Sequence, residues 1–358
     1  MSWSTELYTV ELRLPKGLEY SKNINLEEIR KYLEIRLRNV SYEDYIKPGL
    51  IVFGEDLNAL ARELSVDRIS PMGLYIRGVY GGEEKRGGER YAGLVLEEYH
   101  LNNVAFEFKL YGIKEALVAP LKLLGEYGIR VYRMVYVGEV NPFRIVKYLD
   151  IMLSQRGAES LKEFLRKTLK LNERSISVEA YRRMEKLISE LQQPSTIPTL
   201  DTSMYYVVYR TDRIFSACAL KPIYDNIIIY SNVGLIECKS EDVAYYYAAA
   251  LNYLAFCAIR SKRAFFRHQY RKSPIALYAA GLTWDSMDDR TRNRIVELSK
   301  KLHEKVPPKE YSSQRMAFKA LESLPEFKEL VGILDSKVEK ERLEQALNIV
   351  CRKGVEEE

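Results

Sequence analysis

Apolar and polar residues alternate along residues 7–14 (LYTVELRL), the period of a strand with one wet face. In residues 25–40 (NLEEIRKYLEIRLRNV), Leu26, Ile29, Leu33 and Leu37 recur at helical spacing, so a helix is expected there. Residues 73–80 (GLYIRGVY) and 91–99 (YAGLVLEEY) read as two strands around the Gly-rich tip GGEEKRGGER, 81–90. Strand, helix and strand follow at 103–112, 114–128 and 129–140. From 143 to 193 the pattern becomes one of charged amphipathic helices with no strand-like run. The stretch 193–203 (QPSTIPTLDTS) has linker composition. Short strands are then expected at 205–210, 214–220, 226–231 and 234–239. Ser240, followed by Glu241 and Asp242, has the form of an N-cap with acids in the first turn. The helix it opens, AYYYAAALNYLAFCAI, is apolar on most faces and should be buried. Residues 290–306 form an amphipathic helix stopped by Pro307 and Pro308, and two more charged helices are expected in the last part of the chain.

The expected fold is therefore α+β in two domains. A mixed-sheet N-terminal domain (1–142) is followed by a helical spacer (143–192), a linker (193–203), a C-terminal α+β domain (204–310) and a helical tail (311–358). The length of 358 residues exceeds the usual range of one core, and 47% hydrophobic residues provide ample material to bury. A charged fraction of 29% with only three His fits a protein of thermophilic type. The net charge of +5 is small, so a polyanionic partner must be argued from local clustering. No signal-like start and no run long enough to span a membrane are seen, and a cytoplasmic protein without a membrane partner is expected.

The clustering is found at 259–273, IRSKRAFFRHQYRKS, with six Lys or Arg, one His, three aromatics and no acid. Lys and Arg neutralise phosphates and release counterions, and Arg can also grip a guanine edge with two hydrogen bonds. Phe265, Phe266 and Tyr270 could pack beneath these cations or stack on exposed bases. The alternative is a solvated basic loop whose aromatics anchor it to the core.

Three blocks in order, SEDVAYYYAAALNYLAF (240–256), RAFFRHQYRKSP (263–274) and RNRIVELSKKLHEKV (292–306), resemble the target-recognition domain of restriction–modification proteins. The resemblance covers about 205–306 and departs at Asn252-Tyr253, where Asn-Ser is usual, and around Trp284. It implies non-catalytic recognition of duplex DNA, alone or within a larger nucleoprotein or defence complex. The DNA-binding set would be Arg260, Lys262, Arg263, Phe265, Phe266, Arg267, His268, Tyr270, Arg271 and Lys272. No Asn-Pro-Pro-Tyr or Asp-Pro-Pro-Tyr loop and no Gly-rich cofactor turn accompanies it, which argues against a stand-alone methyltransferase.

The enzymatic rival is a Mg-dependent nuclease of restriction type. Asp225 before NIIIYS and Glu237-Cys-Lys239 after it would place two metal-binding acids and a Lys on a hairpin. The plainer reading puts Glu237 and Lys239 on the wet face of a strand, with Ile236 and Cys238 facing inward. The tip cations Lys85, Arg86 and Arg90 suit a mobile finger or a solvated hairpin end. Four scattered Cys without a CxxC, and three isolated His, give no metal site; His303 is expected on a polar helical face. No cofactor is expected. Besides DNA, the charged helices at 150–192 and 310–358 suit contact with other subunits or a second copy of the chain.

Overall fold

Leu33, Ile35 and Leu37 alternate with Glu34, Arg36 and Arg38, and this period of two prevails over the helical spacing. Leu33–Val40 is strand β2, paired antiparallel with β1 (Thr5–Leu12), so the second half of the helix expected over 25–40 is strand, while 25–32 lie outside the described residues. The computed structural model describes the backbone of these two strands and of β3 (Arg68–Ser70), and residues 94–191, 193, 197, 199–210, 214–229, 233–266 and 272–352. The segments 73–80 and 81–90, with Lys85, Arg86 and Arg90, lie outside the described residues.

The described residues form an α+β fold. Strands β4 (Leu96–Leu101), β5 (Ala105–Leu110) and β6 (Leu117–Pro120) make an antiparallel meander. Its first turn is closed by the Asn102 carboxamide, which accepts from the Val104 and Ala105 N–H groups at 2.9 and 2.8 Å. Helix α1 (Leu121–Tyr127) ends on left-handed Gly128 and returns the chain as β7 (Ile129–Val135). The short hairpin β8 (Val140–Asn141) and β9 (Arg144–Ile145) leads to β10 (Leu149–Ser154), which pairs antiparallel with β7.

β10 lies inside the expected helical spacer. Five of its six residues are buried, so it carries no alternation that would mark it in sequence. Helices α2 (Ala158–Leu171) and α3 (Val178–Glu190) do follow, but Leu161, Phe164, Leu165, Met184 and Ile188 are sunk in the same core as β4–β7. β10, α2 and α3 thus contribute to the first core and do not form a separate spacer. The proposed linker is held as well: Thr199 bridges Ile228, and the Gln193 amide bonds both backbone groups of Ser154.

β11 (Tyr205–Arg210) is the centre of the C-terminal half, flanked by β12 (Ala217–Leu220) and β14 (Val233–Cys238), with β3 beyond β14. β11, β12 and β14 are buried on both faces. Tyr206, Val208 and Leu235 belong to the first core, while Val207, Tyr209, Ile236 and Cys238 face a second. An added Cβ at Gly234 would land in the Tyr209 ring, so only glycine fits there. β13 (Ile227–Ile229) does not join this sheet; it runs parallel to β7 in the other one.

Helix α4 (Glu241–Arg260) lies on the second-core face of the sheet. Ser240 caps it, accepting from the Val243 N–H, and Glu241 and Asp242 sit in its first turn as expected. Fifteen of its residues are buried, among them every position from Tyr246 to Ala258. Around it pack α5 (Lys272–Ala279), α6 (Asp289–Lys305), α7 (Gln314–Leu321), α8 (Pro325–Lys337) and α9 (Lys340–Val350). Among the described residues the tail holds three helices, not two, and Phe318, Phe327, Leu330, Leu334, Leu347 and Val350 fill the second core.

Two asparagines finish exposed sheet edges from helices. Asn172 bonds both the N–H and the C=O of Val118 on β6, and buried Asn252 does the same for Ala217 on β12. Each carboxamide substitutes for the missing neighbouring strand. Among the described residues no helix is long and apolar enough to cross a membrane.

Candidate nucleic-acid interface

The basic segment begins where α4 stops. The Lys262 N–H donates to Ile259 O and the Arg263 N–H to Ala258 O, the paired bonds of a Schellman ending. The left-handed position of that ending is Lys262, at φ 51°, where glycine is the usual occupant. Its side chain is exposed and makes no ion pair among the described residues.

The chain then pairs with its own C-terminal part. β15 (Ala264–Phe265) lies antiparallel to β16 (Cys351–Arg352), and the Phe266 N–H donates to Val350 O. Phe265 packs edge-on against buried Phe215 at 5.9 Å, which fixes the loop to the start of β12.

Two of the candidate cations serve this anchoring. Arg263 is buried, donates to Asn348 Oδ1 at 2.8 Å and forms an ion pair with Glu344, both on α9. Arg260 pairs with Asp335 of α8 at 3.1 Å, and this carboxylate also accepts from the Tyr253 hydroxyl. The bond to Asp335 raises the Arg260 pKa further, and burial pushes the adjacent Cys257 thiol up to about 11. Tyr253, the departure from the usual Asn-Ser, thus has a place in this network. These two arginines hold the segment; their charges are already met.

Lys262, Phe266 and Lys272 remain on the surface side. Lys272 Nζ stands 3.8 Å from the Phe266 ring centroid. A second cation shares the ring: Arg352 Cζ lies 5.3 Å from the same centroid. Arg352 was outside the sequence-based set, because only the β15–β16 pairing brings it there. Arg267, His268, Tyr270 and Arg271 lie outside the described residues.

The loop around Trp284 is a short 3-10 turn, Trp284–Ser286, packed on α4. The Trp284 N–H donates to the Tyr247 hydroxyl, the ring stands edge-on to Tyr246 at 5.4 Å, and Arg292 covers it. His303 is not on a polar face. It is buried, accepts the Ala219 N–H at Nε2 and donates from Nδ1 to Ser299 O at 2.7 Å, so its ring is neutral.

The nuclease set is arranged differently from the expected hairpin. Asp225 precedes β13, which pairs with β7, whereas Glu237 lies on β14 between β11 and β3. The Asp225 carboxylate is exposed and faces Arg130 at 3.3 Å. Glu237 is half-buried and Lys239 exposed, with Ile236 and Cys238 buried as the plainer reading expects. Among the described residues no group of three or more His, Cys, Asp or Glu is placed to hold a metal.

No protein-family profile and no curated protein matches this chain.

Proposed function

We propose that the protein binds nucleic acid, duplex DNA foremost, through the basic segment 259–273, with Lys262, Phe266 and Lys272 as its described surface residues, without catalysis of its own. The observation that carries this reading is Lys262. A lysine stands in a backbone conformation that costs a non-glycine residue about 1 kcal/mol or more, at the tip of a segment anchored by Arg260, Arg263 and β16. Strain retained at an exposed cation with no ion pair among the described residues points to use of that cation.

The division of labour supports the same reading. A rigid base presents cations without neutralising them, which limits the ordering cost when phosphates are met. All four cysteines are free and buried, in keeping with action in the reducing cytoplasm, alone or within a larger complex. The test is an electrophoretic shift with duplex DNA at low salt, competed by single-stranded DNA and RNA. Retention of the duplex that weakens steeply with added salt is expected; absence of any retained nucleic acid at low salt would sink the reading.

A further inference from the structure

We propose that Lys272 and Arg352 form a phosphate clamp on the face of Phe266, so that the C-terminal strand β16 is part of the binding site. The ligand class is a phosphate or phosphodiester. Its source as a nucleic-acid backbone rests on the reading above, while the clamp itself does not.

The geometry is unusual for this chain. Lys272 and Arg352 both lie within 5.3 Å of one ring centroid, hence within about one Debye length of each other. Two like charges at that separation repel, and neither has an ion-pair partner among the described residues. Several other cations of the C-terminal half are matched by acids: Arg260 by Asp335, Arg263 by Glu344, Lys300 by Glu241 and Asp242, Lys337 by Asp288. The first turn of α5, which carries Lys272, contains no acid.

A phosphate group supplies the missing negative charge. Arg352 offers a planar fork for two of its oxygens, and Lys272 a movable point charge for a third. Phe266 fixes the two cations on one floor, and its own N–H is tied to Val350 O, so the floor is held in place. Ala264↔Arg352 pairing sets the position of the arginine. A merely structural role would use the apolar stems of the two side chains to cover the ring.

Replacement by methionine separates these roles, since it keeps a stem and removes the charge. The full chain and a Lys272→Met/Arg352→Met variant are titrated with inorganic tripolyphosphate while the thermal unfolding midpoint is followed, and then with duplex DNA over a range of salt. The clamp predicts that tripolyphosphate raises the midpoint of the native chain and that the variant needs at least tenfold more for the same rise. It also predicts a DNA salt slope smaller by roughly two in the variant, one for each lost phosphate contact. A native chain stabilised by tripolyphosphate through these two residues but blind to DNA would support the clamp and remove its nucleic-acid source. Unchanged tripolyphosphate response in the variant would overturn the clamp, and DNA binding that persists alongside would leave the wider reading standing.

Discussion

Lys262 combines a local cost with an exposed charge, and the two can be separated by one substitution. Glycine adopts the left-handed conformation freely, so Lys262→Gly should stabilise the fold by about 1 kcal/mol while weakening DNA binding. Urea unfolding and a binding isotherm on the same preparation check this; a variant that binds as tightly as the native chain would remove Lys262 from the site. Asn252 is a second single residue with a defined task. Asn252→Ala leaves the buried Ala217 N–H without its acceptor and opens a cavity, and should cost about 3 kcal/mol by denaturant unfolding. A loss below about 1 kcal/mol would mean that the β12 edge does not depend on the amide.

At the scale of elements, legibility followed how local the signal is. The strands at 205–238, the Ser240 cap and the buried helix α4 were readable, because a cap, a first-turn acid pair and an Ala-rich run lie within a few residues of one another. β2 and β10 were not. In β2, Leu33 and Leu37 satisfy both periods, and β10 is buried on both faces, with Met152 interrupting the alternation. Pairings of distant segments also escaped. β13 joins β7 and β16 joins β15, so Asp225 left the expected hairpin and Arg352 came to lie over the Phe266 ring. The six Lys and Arg of 259–273 were visible as composition, but composition could not divide them. Only Asp335 and Glu344, 75 and 81 positions away, mark Arg260 and Arg263 as anchors.

At the scale of the whole molecule, two cores share the central sheet, and the C-terminal helices close the second core over α4. His303 joins the halves of that assembly, since it lies on α6, accepts from β12 and contacts Phe143 edge-on at 5.4 Å. Burial pushes its pKa down from 6.5 to about 4. Between these values the unfolded chain takes up a proton that the folded chain refuses. The stabilisation is full above pH 6.5 and declines as pH falls toward 4, by about 3 kcal/mol in all. Unfolding free energies from pH 7 to 4 should show this decline for the native chain and a shallower one for His303→Gln; parallel profiles would contradict a neutral buried ring.

The proposal of nucleic-acid binding rests on the cations of 259–273 other than Arg260 and Arg263, which are paired with acids. The salt dependence of duplex DNA affinity for the native chain and for Lys262→Ala/Arg267→Ala/Arg271→Ala tests it most directly. A native affinity that falls steeply with salt, and a variant that binds more weakly with a slope smaller by roughly three, is the predicted result. Equal affinity and equal slope for the two proteins would contradict it.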